Sequence, residues 1–396
     1  MNGFFLEEEK RMRIVIAPDS FKGSLSALEA ARAMERGIRK VFPDAECDLL
    51  PLADGGEGTV DALVNATGGS LYAEDVHDPL GRPIKACWGL LGDGHTAVVE
   101  MAAASGLPLL GEDERNPLVT STFGTGELIK AALAALHERD NEGRLIIGIG
   151  GSATNDGGVG ALQALGAKFF NAGGEELPTG GAALADLAFI DTSTLDPLLG
   201  KTEILVACDV DNPLTGEHGA SAVFGPQKGA TPAMVAQLDA ALGNYASIAR
   251  EVTQKDIAGL PGAGAAGGLG AGLLFFSKAQ LLPGIEIVLE ATNFDTRVRV
   301  ADLVLTGEGH TDYQTAFGKA PAGVAGAAKL RGKPVICISG GIGTGVEALY
   351  AQGIDAIAGA VCSISTLEYC MERADSLLEA ATERTFRVMK IGMGLC

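Results

Sequence analysis

Leu145-Ile-Ile-Gly-Ile149 runs directly into Gly150-Gly-Ser-Ala-Thr-Asn-Asp-Gly-Gly158, and a helical pattern follows at Gly160–Leu165. The first segment has strand length and no polar alternation, as expected for a strand covered on both faces. A glycine-rich turn from such a strand into a helix aligns backbone N–H groups into a concave, partly positive nest for phosphate oxygens. Ser152 and Thr154 add hydroxyl donors, and Asn155 or Asp156 is placed to face a metal or a substrate hydroxyl. Gly150, Gly151, Ser152, Thr154, Asn155 and Asp156 are therefore the expected cofactor-binding residues.

The same grammar recurs on both sides. Arg13–Ala17 precedes Asp19, Asp48–Leu52 precedes Asp54, Ala97–Val99 precedes Glu100, Ile204–Ala207 precedes Asp209, Leu303–Leu305 precedes Glu308 and Val335–Ile338 precedes Gly340. Helical patterns lie between these runs, at a capping box Ser26–Glu29 and at Gly124–His137, Thr231–Arg250 and Thr366–Val388. Strand, helix, strand repeats predict an α/β fold with parallel sheet and right-handed crossovers. In open α/β sheets the ligand crevice lies outside the carboxyl ends of the strands. Asp19, Asp54, Gly150–Asp156, Asp209 and Glu308 all fall at such ends. Any one acidic residue there also serves as a turn former or helix cap. The recurrence at strand after strand points instead to a shared site.

Composition sets outer limits. A chain of 396 residues exceeds one ordinary core, so two domains are expected. The net charge of −20 repels phosphate backbones and anionic headgroups, which disfavours nucleic-acid and membrane-surface partners. Seven scattered cysteines without C-x-x-C give neither a disulfide framework nor a zinc site and suit a reducing, cytoplasmic location. The N-terminal Met-Asn-Gly-Phe-Phe-Leu6 meets three glutamates at once and is not read as a signal peptide. Gly262–Phe276, the longest weakly polar stretch, is too short for a bilayer span.

Other glycine patterns narrow the chemistry. Gly148-x-Gly150-x-x-Ala153 loosely fits a dinucleotide fingerprint, but the acid expected about twenty residues on is missing from the end of Lys168–Phe170. Gly262-Ala-Gly-Ala-Ala-Gly267 fits G-x-G-x-x-G outright, yet follows Pro261 and no strand, so close packing is expected there. No G-x-x-x-x-G-K-[ST] occurs, which excludes a P-loop. Asp54-Gly-Gly-Glu-Gly-Thr59 and Thr306-Gly-Glu-Gly-His-Thr-Asp312 combine carboxylates with glycines, a pairing that suits Mg²⁺ between protein and phosphates. Lys22 and Lys319 are the candidate cations for an oxyanion.

Taken together, the chain resembles the type 1 glycerate kinase family. The resemblance rests on Ile14–Lys22, Ala53–Thr59, Gly148–Gly158, Ala207–Pro213, Phe224-Gly-Pro-Gln-Lys-Gly229, Pro261–Gly270 and Thr306–Gly309, kept in order from about residue 12 to the C-terminus. It implies transfer of the ATP γ-phosphoryl group to D-glycerate, with Mg²⁺, at the 2-hydroxyl. It also implies two α/β domains with the site in the cleft between them. A discontinuous Rossmann-like domain takes residues 12–70, 118–160 and 285–396, and an inserted domain takes 71–117 and 161–284. Relatives usually begin near Met12, which makes residues 1–11 an extension. Two positions depart from the family pattern, with His310 where arginine is usual and Tyr313 where serine is usual, and Ser339–Gly345 is unusually rich in glycine. On this reading Asp209 or Glu308 holds the metal and Asp54 or Asp19 deprotonates the glycerate hydroxyl. Lys22 or Lys319 then binds the substrate carboxylate or the moving phosphoryl group. Two readings from other classes are an NAD-dependent dehydrogenase of a small hydroxy acid and a non-catalytic sugar-acid sensor.

Overall fold

The computed structural model describes residues 11–394 apart from Asp54, Glu57, residues 139–142 and Phe317. Two compact units emerge. One holds the described residues up to Leu52 and from Leu289 onward, and the other holds Ala53–Val288.

The first unit opens on β1 (Arg13–Pro18), where Ile14, Val15, Ile16 and Ala17 are all buried. The helix Ala27–Arg39 follows its predicted capping box. The Ser26 hydroxyl accepts from the Glu29 N–H, and the Glu29 carboxylate accepts from the Ser26 N–H at 2.9 Å. Parallel to β1 lies β2 (Glu46–Leu49), which starts two residues before the predicted run. Leu50 and Leu52 continue the ladder by donating to the carbonyls of Ile16 and Pro18.

The chain then builds the second unit. Its strands are β3 (Ser70–His77), β4 (Pro83–Leu90), β5 (Thr96–Glu100), β6 (Arg144–Gly148), β7 (Lys168–Asn171), β8 (Leu187–Asp191), β9 (Glu203–Ala207) and β10 (Gln280–Leu282). Six of them form one sheet in the order β10-β9-β6-β5-β4-β3, while β7 and β8 make a separate antiparallel ribbon. The β10, β9, β6 and β5 strands run parallel, and β4 and β3 are antiparallel. This sheet is thus mixed, with an antiparallel hairpin at one edge that the sequence reading did not anticipate. Val99, Leu145, Ile147 and Val206 of the sheet pack with Leu128, Ile129, Leu133 and Leu136 of the helix Phe123–His137.

Returning to the first unit, the chain adds β11 (Leu303–Gly307), β12 (His310–Thr311), β13 (Val335–Ser339), β14 (Gly341–Ile342) and β15 (Ala356–Gly359). The main sheet reads β15-β13-β11-β1-β2 and is parallel throughout. Ile14, Ile16, Leu303, Leu305, Ile336 and Ile338 bury one face under Met34, Ile38, Leu378 and Phe386. Fully burying each such side chain stabilises by about 1.5–3 kcal/mol. The predicted helix at Thr366–Val388 is two helices, Leu367–Glu372 and Ala374–Gly392, parted at Arg373 with φ −109° and ψ 15°.

The expectation was two domains each built from separate stretches of chain, whereas the second unit here is one continuous stretch and the division falls elsewhere. Residues 53–70 and 118–160, expected in the Rossmann-like domain, belong to the second unit. The reason is strand order, since β6 lies between β5 and β9 and carries its helices with it. Among the described residues no helix is long and apolar enough to cross a membrane.

Candidate active site

In the second unit the carboxyl ends of β6 and β9 lie side by side, with Gly148 paired to Ala207. Gly55 and Gly56 cross these ends closely. A Cβ on Gly148 would sit 2.6 Å from the Gly55 carbonyl oxygen, and one on Gly150 would sit 3.1 Å from Gly56 Cα. Beyond the crossing, Gly150 and Gly151 are exposed, and Gly151 takes φ +76°. Asp209 follows β9, exposed, and its Oδ1 accepts from the Gly284 N–H at 2.9 Å. The structure therefore brings Gly150, Gly151 and Asp209 together on one sheet edge. Asp54, the expected partner of this edge, lies outside the described residues.

The rest of the glycine loop turns inward. Ser152 is buried and Thr154, Asn155 and Asp156 have no exposed surface. Asp156 Oδ2 accepts from the Thr122 N–H and hydroxyl, both at 2.8 Å, and from the Gly160 N–H at 3.2 Å, while Oδ1 accepts from the Gly158 N–H at 3.1 Å. Burial pushes this carboxyl above its ordinary range, and those four donors pull the other way. Asp156 is thus a brace that ties the loop to the start of the helix Phe123–His137, which corrects its expected place facing a metal or substrate hydroxyl. Asn155 donates to the Ser221 hydroxyl at 2.9 Å. Among the described residues Asn155 Oδ1 and Thr154 Oγ1 have no hydrogen-bond partner.

Lys228, which the sequence offered only within the stretch Phe224–Gly229 and without a role, lies 1 % exposed behind this loop. Its ammonium donates to the Ser152 hydroxyl at 2.7 Å and the Thr154 carbonyl at 2.6 Å. Burial brings its pKa down to about 7, against the opposing pull of Asp156. Glu100, which ends β5, was noted only as a strand terminator, yet its Oε1 accepts from the Val60 N–H at 2.6 Å at the start of the helix Thr59–Thr67.

The Gly262–Gly267 segment packs as expected. It begins no strand-to-helix turn, and Gly267 takes φ +66° with its α-carbon against Thr154 and Asn155. An added Cβ would overlap the Thr154 carbonyl and approach Asn155 Cα to 2.6 Å. Gly267→Ala is expected to destabilise the second unit by about 2–4 kcal/mol through a left-handed backbone and overpacking. Urea titration followed by fluorescence of Trp88, the sole tryptophan and a buried one, measures it; an unchanged midpoint would refute the close contact.

In the first unit β1 and β11 are paired, Pro18 opposite Gly307, so that Asp19 and Glu308 emerge next to each other. The Asp19 N–H donates to the Gly307 carbonyl at 2.8 Å, and Asp19 Oδ1 accepts from the Ser20 N–H at 2.6 Å. Gly309 packs on the backbone of Phe21 and Lys22, an added Cβ lying 3.4 Å from the Lys22 main-chain nitrogen, and the Lys22 side chain is exposed. Glu308 is buried. Its Oε1 accepts from the hydroxyls of Thr315 at 2.6 Å and Thr311 at 3.2 Å. The other oxygen, Oε2, faces the Lys319 ammonium at 3.9 Å, an ion pair too long for a hydrogen bond. Burial pushes the Glu308 carboxyl upward, with the threonine hydroxyls and Lys319 opposing. Asp19, Lys22, Glu308 and Lys319 thus share one end of the first sheet.

Of the two departures noted in sequence, His310 lies in a small ribbon and Tyr313 just after it. Parallel pairing of β12 with β14 sets Gly341 and Gly343 beside His310, where a Cβ on Gly343 would be 2.9 Å from His310 Nε2. Gly345 leaves similar room, 2.9 Å from its added Cβ to Tyr313 Cβ. The glycine-rich Ser339–Gly345 segment is therefore what makes space for the two larger side chains.

Mg²⁺ fits what is present. Among the described residues no three His, Cys, Asp or Glu side chains form a cage, but magnesium typically takes one or two carboxylates plus substrate phosphates. Each unit by itself offers one candidate carboxylate: Glu308 in the first, whose Oε2 faces the Lys319 ammonium at 3.9 Å, and Asp209 in the second, exposed at a strand end.

Residues 14–390 match the model of the glycerate kinase family. The chain is 53% identical to a glycerate kinase from Halalkalibacterium halodurans over 93% of this chain and 96% of that one. It is 50% identical to glycerate 2-kinase from Escherichia coli over 96% of this chain and 99% of that one. A solved structure from Salmonella typhimurium LT2 assigned to glycerate kinase 2 superposes with a TM-score of 0.88 at 50% identity, covering 97% of this chain and all of that one. The chain belongs to the glycerate kinase family.

Proposed function

We propose that this protein is an ATP-dependent glycerate kinase that phosphorylates D-glycerate at its 2-hydroxyl and works in the cytoplasm. The observation that carries the reading is likeness along nearly the whole chain to proteins named glycerate kinase, among them the Escherichia coli glycerate 2-kinase. Phosphoryl transfer demands little covalent chemistry from a protein; positioning and charge neutralisation dominate. The exposed Gly150–Gly151 turn suits the reception of phosphate oxygens through backbone amides. Magnesium, held through Glu308 or Asp209, would neutralise charge on the transferring group. Asp19 or Asp54 serves as the base that takes the glycerate hydroxyl proton. Lys22 and Lys319 are the cations for the carboxylate or the phosphoryl group, Lys319 having its charge already turned toward Glu308. The dehydrogenase reading lacks support, since the one outright dinucleotide pattern, Gly262–Gly267, follows no strand.

The test is coupled ADP release with D-glycerate, followed by phosphorus NMR of the product. Turnover is expected with ATP and D-glycerate only when Mg²⁺ is supplied, falling at least about 100-fold in excess chelator, and the product resonance is that of the 2-phosphate. ADP release without glycerate dependence, or a 3-phosphate product, would overturn the corresponding part.

A further inference from the structure

Lys228 is among the largest fully buried side chains of a chain that carries a net charge of −20. It ends the short turn Pro226–Lys228, and Gly229 beyond it takes φ +91°. Both of its hydrogen bonds go to the glycine loop, 76 and 74 residues away in sequence. An ammonium placed this way bridges a side-chain oxygen and a main-chain oxygen two residues apart, and so fixes the stretch Ser152–Thr154. That stretch directly follows the exposed Gly150–Gly151 turn. The loop is held from the other side by Ala153 N–H donating to the Ser105 carbonyl at 2.9 Å and by the Asp156 brace. Of the charged groups on the elements around it, Asp156 is the one that acts on the ammonium. Asp156 lies on the loop itself, Tyr245 of the helix Pro232–Thr253 lies against Gly157, and Arg115 has its backbone against Gly229.

We propose that Lys228 is a positioning residue for phosphoryl transfer: by clamping Ser152 and Thr154 from inside the second unit it sets the Gly150–Gly151 amides for the phosphates of ATP. The inference rests on the reading of that turn as the phosphate nest. It also gives the clamp a pH dependence. The buried ammonium has a pKa of about 7, and nearby Asp156 supports its charged form. On deprotonation the amine keeps two protons but loses the charge-assisted strength of both bonds. The grip on the loop thus weakens as pH rises. Phosphate in the nest favours the ammonium and shifts the same titration upward.

The experiment uses the full chain and compares wild type with Lys228→Met and Ser152→Ala in steady-state kinetics from pH 6 to pH 9. Trp88 fluorescence and urea titration check that the second unit is folded. Lys228→Met is expected to lower kcat/KM for ATP by about 10- to 100-fold, the usual scale for losing charge-assisted hydrogen bonds. The KM for glycerate should stay within about twofold, and the alkaline fall of kcat/KM for ATP that the clamp predicts for wild type should be absent. Ser152→Ala, which keeps the lysine and removes one of its two acceptors, is expected to lose about 3- to 10-fold in the same parameter. A folded Lys228→Met enzyme with wild-type kcat/KM for ATP overturns the proposal, and so does one that loses ATP and glycerate parameters equally. If Lys228→Met does not fold, an unchanged ATP parameter in Ser152→Ala overturns it. Wild-type protein that releases no ADP with glycerate defeats the functional reading itself, and this inference falls with it. Wild-type turnover beside an unaffected Lys228→Met removes only the lysine.

Discussion

Asp19→Asn is expected to lower kcat by about 100- to 10,000-fold, the range found when a positioned general base is removed. The substitution keeps two hydrogen bonds at this position. Asparagine retains an oxygen at the Oδ1 position, so the 2.6 Å bond from the Ser20 N–H persists, and the backbone bond from Asp19 to the Gly307 carbonyl is untouched. What vanishes is the capacity to accept a proton from an alcohol. The thermal midpoint should stay within about 2–4 °C of wild type, the span of a 1 kcal/mol change in a unit of this size. Single-turnover phosphoryl transfer, compared with ATP binding measured separately, distinguishes loss of chemistry from loss of affinity. Asp54→Asn run in parallel decides between the two carboxylates, since the base is the one whose amide variant loses kcat. A near-normal kcat for Asp19→Asn excludes it.

The place of Asp19 and Glu308 was legible because local pattern is enough to find it. Apolar runs that stop at an acid mark buried strands that end at a ligand edge, and Arg13–Pro18 and Leu303–Gly307 are such strands. The Ser26–Glu29 capping box was legible for the same reason, being complete within four residues. The glycine loop was legible as a turn but not as a surface. Its spacing does not say that the chain turns inward after Gly151, because that depends on Ser105, Thr122 and Gly267, each contributed by a distant segment. Thr154, Asn155 and Asp156 were consequently read as ligands when they are buried. Lys228 carried no periodic signal at all. A lysine between Gln227 and Gly229 looks like a solvated turn until the loop it clamps is seen 76 residues away. Domain division failed on strand order. Nothing local to Leu145–Ile149 says that its neighbours are β5 and β9 rather than β1 and β11. The β3–β4 hairpin was missed because its strands are half exposed and lack the uninterrupted apolar run that marked the others.

Glu308→Gln is expected to make the protein more stable at neutral pH and far less active. Burial raises the carboxyl's pKa above its unfolded value, so folding favours the protonated form. The sign follows from proton linkage. A group with a raised folded pKa contributes fully below its unfolded pKa, and that contribution is lost as pH rises through the folded pKa. Above its folded pKa the wild-type carboxylate is charged and buried, with Lys319 at 3.9 Å as the facing cation. Glutamine removes that charge while its amide oxygen still accepts from Thr315 and Thr311, whose hydroxyls lie at 2.6 Å and 3.2 Å from Oε1 in the parent. A rise of about 2–4 °C in the thermal midpoint of the first unit at pH 7.5 corresponds to a gain of about 1 kcal/mol. The advantage should shrink as pH falls below the ordinary carboxylate range, where glutamate and glutamine become alike in charge. Activity should move the opposite way. If Glu308 Oε2 holds magnesium, kcat at saturating ATP falls by at least about 100-fold, and part of the loss is recovered by raising Mg²⁺. A variant that gains no stability at pH 7.5 would show that Lys319 already compensates the charge. A variant that keeps its activity would leave Asp209 as the metal's protein ligand. Only the combination of a firmer fold and a weaker enzyme fits a carboxylate kept buried and charged for the cation it is to meet.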